Sequence, residues 1–193
     1  MSRWKELPFV SGGLVAANVA VYVICMFTQR IYEAGTLDAF HVLNNGEWGR
    51  IVWAMFLHGS ISHLMNNMLL LFFMGAMIEK EIGHIFYTLL YFLSGIGGNL
   101  LSLYMRVANN DPTGSIGASG AVFGMDGVLL AMVLFAGRRM PSVTPIRVMA
   151  MIVLSLYSGF SGHNIDNAAH VGGLLTGFLG GCLVCILQRR RKK

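Results

Sequence analysis

Residues 168–187 read AAHVGGLLTGFLGGCLVCIL. This stretch contains no Asp, Glu, Lys or Arg, and its 20 residues are the length that an α-helix needs to cross the hydrocarbon core of a bilayer. After His170, glycine recurs at positions i+3, i+7 and i+11, which is the small-xxx-small pattern of closely packed membrane helices. These residues are Gly173, Gly177 and Gly181. The stretch therefore predicts a membrane-spanning helix with a histidine in its first turn and a smooth face for a neighbouring helix.

The composition of the whole chain agrees with this interpretation. Hydrophobic residues make up 55% of the 193 residues and charged residues only 12%, whereas soluble domains contain roughly 25% charged residues. The formal net charge of +5 would suit nucleic-acid binding, but five of the fourteen basic residues form the run Arg189–Lys193. Because basic residues beside a span set its orientation, we interpret this charge as a topology signal and expect no nucleic-acid partner. The composition indicates an integral protein of the lipid bilayer.

Hydropathy predicts an all-α fold, a polytopic six-transmembrane-helix bundle that forms a single domain over residues 1–193. Six helices of about 20 residues would use most of the chain and leave no room for a second, soluble domain. The predicted spans, in chain order, are Leu7–Thr28, Leu64–Ile78, Ile85–Met105, Ser119–Ala136, Val148–Gly162 and Ala168–Leu187. The second and fifth are short for a crossing, at 15 residues each, and the fourth contains Asp126.

The positions of Lys and Arg predict the orientation of the bundle. If both termini face the cytoplasm, eleven of the fourteen basic residues lie on the cytoplasmic side, as the positive-inside rule requires. Only Arg30, Arg50 and Arg106 fall on the outer side. We therefore expect a multi-pass protein of the cell membrane whose second, fourth and sixth helices run inward from the outer face.

Four polar side chains lie near the outer ends of these three helices. His63 and Asn67 are spaced i, i+4 on one face of the second helix. Ser119 opens the fourth helix, and His170 lies in the first turn of the sixth. Because the three helices run in the same direction, the four side chains should lie at similar depth. Polar groups inside a membrane are functional candidates, since leaving them unpaired in lipid is costly.

This combination suits nucleophilic attack on a carbonyl group. A serine hydroxyl needs a base to remove its proton, and histidine is the usual base near neutral pH, so Ser119 and His170 are the candidate catalytic pair. The backbone amide of Ser119, with the side chains of His63 and Asn67, would form an oxyanion hole. Asp166 precedes His170 by one helical turn but lies in a loop, so a dyad is favoured over a triad.

A second glycine stripe follows Ser119. Gly120, Gly124 and Gly127 lie along the fourth helix much as the glycines described above lie along the sixth. Two faces without side chains would let these helices approach closely. We expect this approach to bring Ser119 and His170 within hydrogen-bonding distance.

Simpler explanations exist for each residue taken alone. A single membrane serine usually bonds to its own helix backbone, and a single histidine is more often an interhelical donor than a base. Asp126 is favoured as a buried structural acid over a proton relay. Cys182 and Cys185 form a Cys-x-x-Cys inside an apolar helix, where packing residues are favoured over ligands. The histidine spacings indicate no metal site, and no cofactor is expected.

Several short motifs occur together in one order along the chain. They are His58, His63-x-x-x-Asn67, Glu79-Lys-x-x-Gly83, Gly117-x-Ser119-Gly120 and Ala169-His170-x-x-Gly173-x-x-x-Gly177. With these motifs the chain resembles the rhomboid intramembrane serine proteases of the minimal six-helix bacterial type, over essentially its whole length. The resemblance implies that Ser119 is the nucleophile, that His170 is the general base, and that the Ser119 amide, His63 and Asn67 form the oxyanion hole.

Two positions differ from what is common in that family. Phe123 stands where the family often has a tyrosine that packs on the catalytic histidine, and phenylalanine keeps the stacking without the hydroxyl. The family's outer loop usually carries adjacent Trp-Arg, whereas Gly49 separates Trp48 from Arg50 here. The departure concerns the packing of the loop and leaves the candidate catalytic residues in place.

The resemblance implies hydrolysis of single-pass or polytopic membrane-protein substrates near the outer face, through an acyl-enzyme on Ser119. We expect the segment Ser158–Asn167 to act as a mobile cap and the fifth helix to act as a lateral gate. The main alternative is a non-catalytic membrane-protein binder or chaperone that uses the same cleft. A small transporter that uses Asp126 and His170 as a proton relay is the third hypothesis, although no inverted repeat supports it.

Overall fold

A computed structural model describes residues 7–135, 145–160 and 165–190. Within these residues the fold is all-α, as predicted, and contains no strand. The helices are α1 (Phe9–Phe27), α2 (Gln29–Gly35), α3 (Ala39–Leu43), α4 (Arg50–Trp53), α5 (Ile61–Ile82), α6 (His84–Ala108), α7 (Ser119–Phe135), α8 (Pro145–Phe160) and α9 (Asn167–Arg190). A short 3-10 turn, Ala54–Phe56, continues α4.

Each predicted span overlaps one of the long helices α1 and α5–α9. Ala136 and the end of the fifth span, residues 161 and 162, lie outside the described residues. Four described helices are long and apolar enough to cross a membrane, namely α1, α5, α6 and the segment Asn167–Gln188 of α9. The shorter α7 is apolar but has only 17 residues. The membrane-helical bundle is therefore confirmed, and the count of six crossings stays a prediction.

The second predicted span was too short. Hydropathy limited it to the 15 residues Leu64–Ile78, whereas α5 has 22 residues. The helix begins where the Ser60 hydroxyl accepts a hydrogen bond from the His63 amide at 3.1 Å, which is an N-cap. It ends at Gly83, whose φ of +85° is accessible to glycine at low cost. Polar residues at both ends lower the hydropathy of the helix without ending it.

The residues that carry the predicted orientation lie largely outside the described part of the chain. Outside it are Arg3, Lys5, Arg138, Arg139 and the residues after Arg190. The described surface does show the pattern of a protein in lipid, because long apolar side chains point outward. Examples are Phe27, Phe73 and Leu179, which are 85%, 60% and 68% exposed. The sidedness of the helices stays a prediction.

Glu79 joins three helices at the end of the bundle opposite the polar pocket. Its fully buried carboxylate accepts hydrogen bonds from the amides of Val10 and Ser11 at 3.0 and 2.8 Å, and from the Ser11 hydroxyl at 2.6 Å. His84 Nδ1 lies 2.6 Å from Oε1, the carboxylate oxygen that also accepts from the Val10 amide. The acid thus satisfies the free amides at the start of α1 and ties α1 to α5 and α6.

The two glycine stripes meet, so that α7 and α9 lie in direct backbone contact. A Cβ atom on Gly177 would overlap the carbonyl oxygen of Gly124, and one on Gly173 would overlap that of Gly120. No side chain of any size fits at either position. The sequence-based expectation of a close approach between these helices is met at the level of single backbone atoms.

Helix α6 packs against both α7 and α9. A Cβ atom on Gly172 would lie 2.8 Å from the carbonyl oxygen of Gly97, and one on Gly98 would overlap the carbonyl of Ala169. Glycines of α6 therefore let it contact the first turn of α9 directly. Helices α6, α7 and α9 form a compact three-helix centre.

We predict that Gly177→Ala destabilises the protein, although the same change at Gly13 does not. The new methyl group at Gly177 must push α9 away from the backbone of α7, an overpacking that costs about 1–3 kcal/mol of unfolding free energy. Gly13 lies in the middle of α1 with nothing within 4 Å of a Cβ atom, so its alanine variant should gain up to about 1 kcal/mol. Thermal or denaturant unfolding in detergent micelles measures both. Equal stability of the two variants would contradict the backbone contact.

Candidate active site

Ser119 and His170 lie side by side although 51 residues separate them in the chain. Ser119 is the first residue of α7, and His170 is in the first turn of α9. His170 Nε2 lies 3.0 Å from Ser119 Oγ, which is a hydrogen-bonding distance. The serine hydroxyl donates in this pair when Nε2 carries no proton. The arrangement is the one that activates a serine nucleophile.

The glycine contact explains why the two residues meet. It begins at Gly120 and Gly173, directly after Ser119 and one turn after His170. A Cβ atom on Gly120 would also lie 3.3 Å from the carbonyl oxygen of Ala169, the residue before His170. The helix backbones are thus in contact at the level of the two side chains, which need to bridge only a short gap.

Phe123 orients the histidine ring. It lies one turn after Ser119 on α7 and stacks on His170 with ring centroids 4.1 Å apart and planes 7° from parallel. His170 is buried, with 8% of the residue exposed, and the phenyl ring covers one face of the imidazole. The packing of this ring, which the resemblance implied, is present without a tyrosine hydroxyl.

His63 and Asn67 line the same cavity as Ser119 and His170. The cavity has a volume of about 680 Å³, and its wall is polar near the serine. Asn67 is buried, and its Nδ2 donates to the carbonyl oxygen of His63 at 3.2 Å, within α5. The structure thus brings the four candidate residues to one cavity. The role of His63 and Asn67 as oxyanion donors stays a prediction.

Two neighbours hold the His63 ring in place. His58 is 3% exposed and contacts it edge to face, with ring centroids 4.9 Å apart. On the other side, Gly117 has a φ of +124°, and a Cβ atom there would lie 2.9 Å from both Cε1 and Nε2 of His63. The Gly117 amide donates to the carbonyl oxygen of Ala54 at 2.9 Å, which holds this loop against the 3-10 turn.

Asp166 has a larger role than its loop position indicated. Its Oδ1 accepts a hydrogen bond from the Ala169 amide at 3.0 Å, and its Oδ2 lies 3.1 Å from Arg106 Nη2 and also accepts from the Ser102 hydroxyl. Burial raises the pKa of the Asp166 carboxyl, but the hydrogen bonds and the charge of Arg106 outweigh burial and hold this pKa below its ordinary value. The group is therefore a carboxylate at neutral pH. None of its described hydrogen bonds goes to the His170 ring, and the dyad stays a prediction.

Sequence reasoning underestimated Asp166, although a signal was present. Asp and Asn are preferred at the position before a helix, where the side chain accepts from the amide three residues later. Asp166 stands in that relation to Ala169 at the start of α9. The contribution of α6 through Ser102 and Arg106 carries no such local signal, because those residues are more than fifty positions away.

Asp126 lies two turns deeper in α7 than Ser119. It is 1% exposed and faces Ser155 of α8, which is fully buried. This position fits a structural acid between two helices. The expected cap, Ser158–Asn167, includes residues 161–164, which lie outside the described residues, so its role and that of α8 as a gate stay predictions.

Arg50 is held by several hydrogen bonds although Gly49 separates it from Trp48. Arg50 is 7% exposed, and it contacts Glu47 through Nε at 2.6 Å while Nη1 donates to the carbonyl oxygens of Glu33 and Thr36 at 2.8 and 2.7 Å. Trp48 is 55% exposed instead of packing beside it. At this departure from the family pattern, the arginine is buried and hydrogen-bonded and the tryptophan is exposed.

No three His, Cys, Asp or Glu side chains within residues 7–135, 145–160 and 165–190 lie close enough together to hold a metal ion. That the protein works without a metal or cofactor stays a prediction. The cavity presents a serine, a histidine and hydrogen-bond donors, together with the charged side chains of Asp166 and Arg106.

Comparison with known proteins points in the same direction. A family model described as the rhomboid domain matches residues 45–187. The chain is 32% identical to RHOMBOID-like protein 4 of Arabidopsis thaliana over 93% of the chain and 53% of that protein. It is 36% identical to rhomboid protease GluP of Bacillus subtilis over 85% of the chain and 32% of that protein. Rhomboid protease AarA of Providencia stuartii is 30% identical over 86% of the chain and 69% of its own length. The chain thus spans about half the length, or less, of the first two of these relatives.

We predict that Gly117→Ala destabilises the cavity wall whereas Gly49→Ala is tolerated. A side chain at Gly117 forces an unfavourable φ and presses on the His63 ring, at a cost of about 1–3 kcal/mol of unfolding free energy. Gly49 has a φ of −59° and no neighbour within 4 Å of a Cβ atom. Unfolding in detergent micelles compares the two variants. A Gly117→Ala protein as stable as the Gly49→Ala protein would contradict the geometry described for this loop.

Proposed function

Because this chain belongs to the rhomboid family, we propose that it is an intramembrane serine endopeptidase that cleaves transmembrane segments of membrane proteins near the outer face. The family and the apolar helices make it a multi-pass membrane protein. The observation that carries the proposal is the distance of 3.0 Å between Ser119 Oγ and His170 Nε2, inside a polar cavity among apolar helices. The cell membrane, with both termini in the cytoplasm, is the proposed location.

The proposed reaction begins with proton transfer from Ser119 Oγ to His170 Nε2. The oxygen attacks the carbonyl carbon of the scissile peptide bond and forms a tetrahedral oxyanion. His170 then gives the proton to the leaving amine, and the C–N bond breaks, which leaves an ester on Ser119. Water, deprotonated by the same histidine, hydrolyses the ester and restores the serine. Two side chains are enough for each proton transfer, and Phe123 keeps the imidazole in the required plane.

Donors for the oxyanion are available at the start of α7. The first amides of a helix have no partner within the helix, and they carry the positive end of its dipole. The Ser119 amide is the first of these in α7. In the proposed site His63 and Asn67 complete the oxyanion hole from α5, since both side chains line the cavity that contains Ser119.

The membrane setting limits the substrates. In an intact transmembrane helix each backbone carbonyl accepts an intrahelical hydrogen bond, so the scissile segment must unwind before Ser119 can reach it. We therefore propose single-pass or polytopic membrane-protein substrates with helix-weakening residues near the outer face. Water reaches the serine through the polar cavity, and α8 and the segment after it serve as gate and cap in this proposal.

The first test is covalent labelling of Ser119. A fluorophosphonate probe should label the purified protein, and Ser119→Ala should abolish labelling and lower cleavage of a transmembrane substrate by at least about a thousandfold. His170→Ala should behave in the same way because the serine then lacks its base. Thr88→Ala is the matched control, since its hydroxyl donates to the His84 carbonyl oxygen of its own helix at 2.8 Å. A Ser119→Ala variant that cleaves as well as the wild type would refute the proposal.

The alternative function predicts a different result in the same samples. A non-catalytic binder or chaperone in this cleft would bind client helices equally well with and without Ser119 and His170. It would not react with the probe. Labelling and client binding measured side by side therefore separate the two functions.

The second test concerns the oxyanion hole. Asn67→Ala should lower kcat by about 10²–10³-fold and change KM little, because the lost donor acts only on the charge that develops in the transition state. Asn45→Ala, in the exposed loop between α3 and α4, is the control and should retain wild-type kcat. Steady-state cleavage of a transmembrane peptide in micelles gives both constants. A rise in KM with unchanged kcat would assign Asn67 to substrate binding instead.

A further inference from the structure

Asp166 lies at a junction of three chain segments. It accepts from the Ala169 amide of α9 and from Ser102 of α6, and it pairs with Arg106 of α6. The Ser115 hydroxyl, in the loop that joins α6 to α7, lies near enough to lower the pKa of the same carboxyl. One half-buried carboxylate therefore interacts with α6, the loop that leads into α7 and the first turn of α9.

The contact with Ala169 sets the start of α9. Asp166 directly precedes the helix, and its Oδ1 accepts from the amide three residues later at 3.0 Å, so it is the N-cap. The backbone amide of His170 donates to the Asp166 carbonyl oxygen at 3.2 Å, which closes the first helical turn. Asp166 thus defines the turn from which the His170 side chain projects.

The contact with Arg106 connects Asp166 to the loop that precedes Ser119. Arg106 Nη2 lies 3.1 Å from Asp166, while Nη1 lies 2.9 Å from Asp111 Oδ2 and donates to the Thr113 carbonyl oxygen at 2.9 Å. Asp111 and Thr113 precede Ser119 by less than ten residues. The guanidinium therefore fixes the loop before α7 to the same carboxylate that caps α9.

Ser115 joins the loop before α7 to the segment between α2 and α3. Its amide and carbonyl form two backbone hydrogen bonds with Leu37, at 2.8 and 3.0 Å. The loop before Ser119 is thus paired through Ser115 with Leu37 and through Arg106 with the Asp166 carboxylate.

We propose that Asp166 is a positioning residue of the dyad: by capping α9 and binding Arg106, it sets the separation of Ser119 and His170. This inference rests on the proposed function. Asp166 touches neither Ser119 Oγ nor the His170 ring in the described contacts, so it acts through the two backbones. Its side chain and that of Arg106 are only 14% and 12% exposed, and losing one member of such a pair leaves the other buried without its partner.

The test compares Asp166→Ala with Asp166→Asn and with Asp38→Ala. Asp38 is a matched control, because it also caps a helix and lies beside an arginine: it accepts from the His41 amide at 2.9 Å and lies 3.6 Å from Arg50, but α3 carries no member of the dyad. Asp166→Ala should lower kcat by about 10–100-fold at unchanged KM, since a small misplacement of reacting groups costs up to about 10² in rate. The rate of fluorophosphonate labelling should fall in parallel.

Asparagine at position 166 should recover part of the loss. It keeps an oxygen for the Ala169 amide but lacks the charge that pairs with Arg106, so kcat should lie between the values of Asp166→Ala and the wild type. Asp38→Ala should lower the unfolding temperature as a lost cap does and leave kcat unchanged. If Asp166→Ala does not fold, Asp166→Asn and Ser102→Ala decide the question, the latter with an expected decrease of about 3–10-fold in kcat because one hydrogen bond to the carboxylate is lost.

Two results would overturn the proposal. One is a folded Asp166→Ala protein whose kcat lies within twofold of the wild type, and the other is a loss of kcat equal to that of Asp38→Ala. A crystal structure of Asp166→Ala tests the role independently of activity. The distance between Ser119 Oγ and His170 Nε2 should exceed hydrogen-bonding range. A distance still near 3.0 Å would contradict the role of Asp166. A wild-type protein that is not labelled by the probe would refute the proposed function, whereas this distance would still decide the role of Asp166.

Discussion

Two helix backbones are in direct contact where α7 meets α9, and the candidate site depends on that contact. Side chains usually keep packed helices 8–10 Å apart. Glycine at 120, 124, 173 and 177 removes this spacing, so that the carbonyl oxygens of one helix occupy the space where a Cβ of the other would lie. The Ser119 and His170 side chains can therefore hydrogen-bond directly, and Phe123 can stack on the imidazole from the same helix as the serine.

Lipid offers no hydrogen bonds, so the polar groups inside this protein have to satisfy one another. Glu79 accepts from the start of α1, Arg50 donates to the carbonyl oxygens of Glu33 and Thr36, and Asp166 receives donors from α6 and α9. Each of the three joins segments that are far apart in the chain. Charged groups in this fold thus fix the ends of helices, and Asp166 and Arg106 line the same cavity as Ser119 and His170.

Much of the fold could be predicted because hydropathy is a local property. Helices α1, α6 and α9 were predicted within a few residues, since their apolar stretches are uninterrupted. Helix α5 was predicted seven residues short, because His63, Glu79 and Lys80 lower the hydropathy near its ends although the structure accommodates them. The chain between α1 and α5 forms the helices α2, α3 and α4, which are too short for a periodic pattern to predict. In the candidate site, position and topology indicated the four polar residues, whereas the junction at Asp166 depends on contacts across about sixty residues.

The sequence by itself determined that this is an all-helical membrane protein, which helices carry glycine faces, and which polar residues stand near their ends, because each of these follows from local composition and spacing. Only the tertiary structure decided that Ser119 Oγ lies 3.0 Å from His170 Nε2, that Phe123 stacks on the imidazole, and that Asp166 joins three segments. Such contacts depend on how whole helices are placed against one another, and a difference of 1 Å in that placement separates a hydrogen bond from none.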